Sequence, residues 1–440
     1  MKSKTLLFGL SAISLVSSAY ADVTVNITGA TAFRAAALDS IKAKFLAEPI
    51  ATRSFKYAHD SANSASFNGS TRAIFIGKFP GVTGTTTIRC CFNGAVEGVK
   101  AIAIPSDPLA TYYQPSLLTS TTATATGAEL VNQGTTGAAN APSQIAFSDV
   151  TSASTPFGSA ALTNTQVGVV VFTMLTNEGS TVSNVTQQQF RALLTSGFQP
   201  LSLFTGNAAD VTNVFATGRN DGSGTRAVYL GESGFGITNA VKQYVTIAST
   251  GTALSKVQLV PAGGVNTLNG QSLTGQSASN ASTVWGQDIA GNGGYNSGST
   301  LRTDMGKTGA SVTVLDDVGV DAFGENVRVD FVTWLSLNDA VTARGNGAQF
   351  CGYNGVRLDQ LAVSGTNINS GAATDKAKVT NGSYTAWSYE NLYRRNDTTT
   401  DQNTIYTAIA GAVPTNLAAA GIALTDMAVG RSIDGGVVSP

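Results

Sequence analysis

The chain has 440 residues, of which 42% are hydrophobic and 12% are charged, and its formal net charge is -1. This balance argues against a nucleic-acid binder, which needs a concentrated basic face, and against a polybasic anchor at a membrane surface. A chain of this length can bury a large core, and two domains are expected.

Residues 1–21 have the pattern of a cleavable export signal. Two lysines precede an apolar run from 6 to 16, and Ala19-Tyr20-Ala21 has the small-x-small form that a signal peptidase cuts. The run is shorter than the ~20 residues that a membrane-spanning helix needs. Because the first cysteine is Cys90, the acylated cysteine of a lipoprotein is not available. We expect a periplasmic or secreted protein without stable membrane insertion.

Short apolar runs then alternate with helical patterns and with connections rich in Gly, Ser and Thr, which is typical of an α/β protein. Strands are predicted by apolar, often β-branched runs at 23–28, 85–92, 145–147, 167–173, 211–215 and within 384–393. Helices are predicted by helical spacing at 33–46, 186–195 and 331–341, and are expected to begin near 96, 226 and 404.

The reactive residue types are few. Cys90, Cys91 and Cys351 are an odd set, and one of the adjacent pair could bridge to Cys351, leaving a free thiol. The only histidine, His59, excludes a site with several histidine ligands, and we expect it to be a surface or satisfied core residue. We predict no catalytic residue, no metal site and no cofactor.

The most informative segment is 218–226, which lies between a predicted strand and a predicted helix. Gly222 and Gly224 allow a tight turn and a close approach to a ligand, while Ser223 and Thr225 add hydroxyl donors. The N–H groups that begin the next helix favour an anion, and Arg219 offers a planar fork for two oxygens. The pattern predicts an anion cradle.

The same segment leaves two points open. No lysine follows the glycines as in a Walker motif, which disfavours a nucleotide-hydrolysing loop. Asp221 could fix Arg219 by a salt bridge, or it could form a structural Asx turn.

Arg219-Asn220-Asp221-Gly222-Ser223-Gly224-Thr225 resembles the Arg-Ser-Asp-Gly-Ser-Gly-Thr signature of the substrate-binding proteins of phosphate ABC transporters. Further segments resemble that family in its own order. They are Thr28-Gly29-Ala30-Thr31-Ala32-Phe33, Asn93-Gly94-Ala95-Val96-Glu97-Gly98, Ala146-Phe147-Ser148-Asp149 and Asn381-Gly382-Ser383-Tyr384. The resemblance extends over most of the mature chain but is strict only at these short motifs.

The resemblance implies a set of ligand-binding residues. In the first turn, the alignment can shift by one residue, so either Thr31 or Ala32 takes the position of the family's threonine, next to Phe33. In the second turn, Asn93 and Gly94 flank the site. Ala95 there replaces the serine that binds the ligand in the family. Asp149 takes the place of the aspartate that accepts the proton of phosphate, with a helix N-cap as its alternative role. The remaining implied residues are Arg219, Asp221, Ser223, Gly224 and Thr225.

The fold implied by the resemblance is the two-lobed type II periplasmic-binding-protein fold. Each lobe is a mostly parallel sheet flanked by helices, and the ligand lies in the cleft between lobes. We expect lobe one to comprise 22–170 and 325–440, and lobe two to comprise 171–324, with surface excursions rich in Gly, Ser and Asn around 231–309.

The implied function is that of an exported, non-catalytic solute-binding protein. It would capture a tetrahedral oxyanion, phosphate above others, by lobe closure and deliver it to an ABC permease, with no role for nucleic acid. The alternative is a secreted or cell-surface interaction protein on the same scaffold, with weak or no phosphate binding. The low charge and the missing serine favour this alternative.

Overall fold

The computed structural model describes residues 22–50, 53–61, 66–67, 69–106, 110–118, 128–130, 137–263, 267–268, 271–272, 276–277, 287–364, 367–417 and 421–440. The predicted export signal, 1–21, lies outside the described residues. Within them, no helix is long and apolar enough to cross a membrane.

The strands come in chain order and are labelled by it. Those of the first part of the chain are β1 (Val23–Gly29), β2 (Phe55–His59), β3 (Arg72–Gly77), β4 (Thr86–Cys91), β5 (Thr111–Tyr113), β6 (Ala128–Leu130), β7 (Ala138–Asn140), β8 (Ile145–Ser148) and β9 (Leu162–Thr176). The following ones are β10 (Asn184–Val185), β11 (Phe198–Pro200), β12 (Asn213–Ala216), β13 (Tyr244–Thr250), β14 (Ala253–Leu259), β15 (Thr267–Leu268), β16 (Gln271–Ser272), β17 (Gln276–Ser277), β18 (Gly294–Tyr295) and β19 (Thr313–Leu315). The last are β20 (Val329–Ser336), β21 (Gln349–Tyr353), β22 (Trp387–Arg395) and β23 (Gly421–Ile422).

The α-helices are distributed along the whole described chain. They are α1 (Arg34–Leu46), α2 (Ala95–Ala103), α3 (Gln187–Ser196), α4 (Ser202–Thr205), α5 (Gly224–Glu232), α6 (Gly298–Met305), α7 (Leu337–Gly345), α8 (Asp359–Ser364), α9 (Ala373–Thr380) and α10 (Thr400–Ala412). The alternation of strands and helices confirms the predicted α/β class.

One hydrogen-bonded sheet runs through the molecule in the order β11-β12-β20-β9-β22-β8-β1-β4-β3-β2-β6. Parallel ladders join β8 to β1, β1 to β4, and β12 to β20. Antiparallel strands flank these ladders, so the sheet as a whole is mixed. We call the strands from β22 to β6 the first half of the sheet, and the strands β11, β12 and β20, with β21, the second half.

Strand β9 joins the two halves. Its residues 162–171 pair with β22 in the first half, and its residues 172–176 pair with β20 in the second. It is buried from Val167 to its end. A β-branched apolar run is favoured where a strand is covered on both faces, which accounts for the Val-rich sequence here.

The return of the chain to the first half differs from the predicted boundary at 325. Strand β20 lies between β12 and the C-terminal end of β9, and β21 also pairs with the C-terminal end of β9. Residues 329–353 therefore belong to the second half of the sheet. The chain rejoins the first half at β22. Residues 312–327 form an excursion whose ends, Val312 and Val327, pair with each other.

Two further expectations need correction. Residues 331–341 were expected to be helical, but the strand β20 continues to Ser336 and helix α7 starts at Leu337. Tertiary pairing with β12 and β9 overrides the apparent helical spacing of this apolar run. The expected disulfide is also wrong, because Cys90, Cys91 and Cys351 are all free and buried. The first two lie on β4 and the third on β21, in different halves of the sheet.

Candidate functional site

The strand register brings several polypeptide turns to one edge of the sheet. Gly29 at the end of β1 pairs with Phe147 of β8, and Thr28 pairs with Cys91 of β4. The residues that follow these parallel strands therefore lie side by side. In open α/β sheets, ligands bind at this carboxyl edge.

The first turn, Thr31–Phe33, follows β1 and leads into α1. The N–H of Ala30 donates to the carbonyl of Phe147 at 2.8 Å, which ties the turn to the end of β8. Phe33 is the N-cap of α1 and is itself buried. Thr31 and Ala32 are half-buried, so both residues compatible with the threonine position lie at the sheet edge.

The second turn, Asn93–Ala95, follows β4 and leads into α2. The N–H of Gly94 donates to the carbonyl of Gly29 at 2.9 Å, and Gly94 has a φ of 139°. A β-carbon on Gly94 would stand 2.5 Å from the carbonyl oxygen of Gly222. Glycine is required here both by the backbone angle and by the approach of the other half of the molecule.

The third turn, Asn220–Gly224, follows β12 and leads into α5. The carbonyl of Gly222 accepts a hydrogen bond from the N–H of Glu97 in α2 at 3.3 Å. This contact joins the third turn to the second turn directly. The two halves of the molecule therefore meet at the segments that the sequence assigns to ligand binding.

Arg219 is held by backbone carbonyls. Its Nε donates to the carbonyl of Tyr295 at 3.0 Å and its Nη2 donates to the carbonyl of Asn296 at 2.9 Å. Its side chain is only 2% exposed, and burial lowers its pKa to about 10, while Asp339 and Asp149 act in the opposite direction. The guanidinium remains charged at neutral pH.

Asp149 follows β8 and is directed at the N-terminus of α5. Its Oδ1 lies 1.6 Å from the place of a β-carbon on Gly224 and makes no hydrogen bond to any described residue. The residue is 2% exposed. Burial raises the pKa of Asp149 to about 7, Arg219 opposes this rise, and Asp434 adds to it. Both protonation states are thus accessible near neutral pH.

Ser223 is the N-cap of α5, but its hydroxyl does not cap the helix. The buried Oγ of Ser223 finds no hydrogen-bond partner within the described part of the chain. Thr225 is buried one residue after Gly224. Buried polar atoms are normally paired, so such an atom beside an arginine and a carboxyl group points to a ligand.

The helices that begin at the three turns share a feature. Among the described residues, no side chain caps the N-termini of α1, α2 and α5. By contrast, α3 and α10 have complete capping boxes at Thr186 and Thr399. Free N–H groups at a helix start favour negative charge, and three such starts lie at this edge of the sheet.

The predicted residues are thus found on three adjoining turns and the end of β8. Those from the first half of the sheet are Thr31, Ala32, Phe33, Asn93, Gly94, Ala95 and Asp149, and those from the second half are Arg219, Asp221, Ser223, Gly224 and Thr225. Ala95 brings a methyl group where the family has a hydroxyl, 2.7 Å from the place of a β-carbon on Gly224. The role of Asp221, which is buried in the third turn, stays a prediction.

Sequence reasoning missed three contributions to the site. Tyr295 and Asn296, whose carbonyls hold Arg219, belong to the polar stretch that was expected to be a surface excursion. Arg34, the first residue of α1, is buried at the same edge. Glu390 on β22 is fully buried, and neither carboxyl oxygen is hydrogen-bonded to a described residue.

Glu390 adds a second acid behind Asp149. Burial, and then the charge of Asp149, raise the pKa of Glu390 far above its ordinary range. Ser388, two residues earlier on the same face of β22, donates to the main-chain carbonyl of Asp149 at 2.5 Å. Burial therefore favours the neutral form of the Glu390 side chain.

The described residues include no group of three or more His, Cys, Asp or Glu side chains that could hold a metal ion. The polar groups that the described residues bring to this edge are N–H groups, hydroxyls, the carboxyl groups of Asp149 and Glu390, and guanidinium groups.

Comparisons with known proteins give structural likeness at low identity. The chain is similar to a protein from Clostridium perfringens that is named as a phosphate ABC transporter substrate-binding protein and was solved with bound phosphate. The two sequences are 11% identical, and the match covers 91% of this chain and 99% of that chain with a TM-score of 0.42. It is similar to an ABC-type phosphate transport receptor from Vibrio cholerae, at 10% identity, with 90% and 99% coverage and a TM-score of 0.38. No protein-family model matches the chain, and no curated protein matches it.

Proposed function

We propose that this chain is an exported, non-catalytic binding protein that captures a tetrahedral oxyanion, with phosphate as the preferred ligand, and delivers it to an ABC permease. The observation that carries the proposal is the pair of buried, unpartnered polar atoms at the start of α5. Within the described residues, Oδ1 of Asp149 and Oγ of Ser223 have no hydrogen-bond partner, although Arg219 lies close enough to influence the pKa of Asp149. An oxyanion would satisfy both.

The donor set suits a tetrahedral oxyanion. Arg219 supplies a fixed charge, Ser223 a hydroxyl, and the uncapped helix starts supply N–H groups. Asp149 is the acceptor in this set. An ionised carboxylate accepts the hydrogen of a protonated phosphate, whereas sulfate at neutral pH carries no hydrogen to offer. The unmatched acceptor costs roughly 1–3 kcal/mol, which favours phosphate.

Closure of the two halves completes the site. Asp149 comes from the first half, and Arg219, Ser223 and Gly224 come from the second. The second and third turns touch at Gly94 and Gly222, and Asp149 approaches Gly224 across the same boundary. Binding and closure are therefore one coupled event, and a closed form is what a permease would recognise.

The direct test is calorimetric titration of the mature, ligand-stripped chain with phosphate and sulfate. We expect phosphate to bind and Arg219→Gln to abolish binding, because the planar charge is lost from a buried position. Arg191→Gln is the matched control, since Arg191 is an exposed arginine on α3 and its loss should leave the affinity unchanged.

Two outcomes would contradict the proposal. If neither anion produces heat, the result favours the alternative function, a secreted or cell-surface interaction protein, over oxyanion capture. If a purified sample releases phosphate from an ester and Arg219→Gln stops the release, the non-catalytic assignment fails.

A further arm uses Asp149→Asn, which replaces the acceptor by a group that can donate, so sulfate binding should improve relative to phosphate.

A further inference from the structure

We infer that the segment Arg431–Gly435, near the C-terminus, is a strap that fastens the two halves of the molecule to each other independently of a ligand. The strap lies at the end of helix α5 that is remote from the anion cradle. The inference rests on contacts within the chain and not on the identity of what the cleft binds.

The strap belongs to a loop whose two ends are joined. The N–H of Gly430 donates to the carbonyl of Ser439 at 2.7 Å, and the N–H of Ser439 donates to the carbonyl of Gly430 at 2.9 Å. The neighbouring Val429 and Val438 both lie against Gly382, where a β-carbon would meet their methyl groups at 3.3 and 3.0 Å. These contacts hold the strap in a defined position.

On one side the strap is bound to the first half. The buried carboxylate of Asp434 accepts hydrogen bonds from the N–H and the hydroxyl of Thr151, at 2.7 and 3.0 Å. The next residue, Ser152, donates its N–H to the hydroxyl of Tyr393 on β22 at 2.9 Å, which fixes this segment to the sheet. The strap thus holds the chain two residues after Asp149, the acid of the candidate site.

On the other side the strap packs against the last turn of α5. A β-carbon on Gly435 would stand 2.2 Å from the carbonyl carbon of Gly231, and one on Gly231 would stand 3.0 Å from the carbonyl oxygen of Asp434. Backbone therefore meets backbone at this contact. Gly435 also has a φ of 70°, so both its conformation and its surroundings require glycine.

Arg431 reaches both halves with one side chain. Its Nη1 forms an ion pair with Glu232 of α5 at 3.1 Å, and its Nη2 donates to the carbonyl of Thr385 at 2.6 Å. Its guanidinium lies 4.3 Å from the centroid of the Trp387 ring on β22. The side chain is 1% exposed, so water screens these interactions little.

The strap lies beside a gap between the halves. A cavity of about 360 Å³ has residues 153–156 of the first half, Ile237 and Thr238 of the second half, and Ile433 of the strap among its lining. At this place the halves are not packed tightly on each other. The strap therefore supplies contacts between them that direct packing does not.

The position of the strap links it to opening of the cleft. Helix α5 has nine residues, so its ends are roughly 12 Å apart. One end, at Gly224, meets Asp149, and the other, at Gly231 and Glu232, meets the strap. Because a short hydrogen-bonded helix moves as a unit, parting Gly224 from Asp149 also pulls α5 from the segment that the strap holds. Wide opening therefore requires the strap to release one side.

The test measures the spacing of the halves in the full mature chain without ligand. Spin labels are attached at Thr407→Cys on α10 in the first half and at Gln188→Cys on α3 in the second. Both positions are exposed, whereas the native cysteines are buried. Double electron–electron resonance then gives the distribution of distances between the labels. We expect one narrow distance in the otherwise wild-type chain, because the strap keeps the halves closed.

Two variants disrupt opposite sides of the strap. Asp434→Ala removes the acceptor of the Thr151 hydrogen bonds, and Gly435→Ala places a methyl group against the backbone of Gly231. Each variant should add a second distance, that of an open form, because the halves are then fastened on one side only. If one variant does not fold, the other still tests the strap.

Two control variants should keep the single distance. Asp426→Ala removes another acid of the same C-terminal segment, which pairs instead with Lys376 of α9 at 2.8 Å. Ile405→Val shortens a fully buried side chain of α10 and controls for loss of stability alone. Thermal unfolding of all four variants shows which of them are folded and how much stability each loses.

The distances decide the inference. A second distance in the strap variants, absent from both controls, is the expected result. Two distances in the chain without a strap variant would show that the halves part freely, and would overturn it. Strap variants that lose stability but keep one distance would assign these contacts to packing alone, which would also overturn it.

Inorganic phosphate separates this inference from the proposed function. Absence of binding would end the proposed function and leave the label distances to decide the strap. A kinetic readout rests on the proposed function: phosphate should dissociate at least about 10-fold faster from Asp434→Ala than from Asp426→Ala, because opening of the strap limits release. Equal rates would overturn the strap as the element that opposes opening.

Discussion

Oδ1 of Asp149 lies 1.6 Å from the point where a β-carbon on Gly224 would stand. The carboxyl group of one half of the molecule thus occupies the space that the absence of a side chain leaves at the start of α5 in the other half. This contact explains why glycine is needed at this position, although the backbone angle does not demand it. A single methyl group added at Gly224 would therefore push the two halves apart at this contact.

Gly224→Ala should therefore impair closure. The new methyl group would meet Oδ1 of Asp149 at 1.6 Å and the β-carbon of Ala95 at 2.7 Å. We expect phosphate affinity to fall at least about 10-fold and the free energy of unfolding to fall by about 1–3 kcal/mol. Calorimetry and chemical denaturation measure these effects.

Gly411→Ala is the matched control for this substitution. Gly411 is in α10, and a β-carbon there would meet no described atom within 4 Å. Alanine should leave binding unchanged and stabilise the helix slightly. If Gly224→Ala binds phosphate as tightly as Gly411→Ala, the closed contact is not part of the binding event.

Asp149 should make the ligand-free protein less stable as the pH rises. Its pKa is about 7 in the folded chain against an ordinary value of 3.8. The stability contributed by its protonated form is fully present below pH 3.8 and is lost as the pH rises through about 7. Asp149→Asn should remove this loss and raise the free energy of unfolding by about 2–4 kcal/mol at pH ~8.

Denaturant titrations of wild type and Asp149→Asn at pH ~4 and ~8 check the sign. Glu390, whose pKa is also raised, is present in both proteins, so their difference isolates Asp149. A wild-type protein that gains stability relative to Asp149→Asn between these pH values would contradict the account. It would mean that the carboxylate is paired in the ligand-free chain.

The ion pair between Glu232 and Arg431 should be essential for stability. Their side chains are 8% and 1% exposed, and Arg431 also lies 4.3 Å from the centroid of the Trp387 ring. Arg431→Met leaves the Glu232 charge buried, so we expect a loss of about 3–5 kcal/mol in the free energy of unfolding. Adding Glu232→Gln should recover most of this loss. A double variant as unstable as Arg431→Met would assign the loss to ring packing.

All three cysteines should be present as thiols. Cys90, Cys91 and Cys351 are free and buried, and burial raises the pKa of each thiol. Ellman's reagent should therefore react slowly with the native chain and detect three thiols per chain after denaturation without a reductant. Detection of only one thiol would restore the disulfide predicted from the sequence.

Local sequence patterns predict much of this site because its segments are short and contiguous. The run from Arg219 to Thr225 contains the turn, the hydroxyls and the helix start in one stretch. The predicted strands at 23–28, 85–92 and 145–147 end at the turns, and parallel pairing brings them together. The turns and their order can thus be predicted from the sequence.

The contributions that the sequence does not reveal depend on distant packing. The carbonyl of Tyr295 reaches Arg219 across 76 positions in the chain, within a stretch whose composition resembles a surface loop. The apolar spacing around the strand Val329–Ser336 is typical of a helix, and only its pairing with β12 and β9 identifies it as a strand. Neither of these has a local signature.

The most direct test of the central claim is a crystal structure of the mature chain grown with arsenate, located by its anomalous scattering. The account predicts a single strong arsenic peak between the two halves, with arsenate oxygens about 3 Å from Arg219, Ser223 and Asp149. A fully occupied peak elsewhere, or none at saturating arsenate, would contradict the claim that this cleft binds a tetrahedral oxyanion.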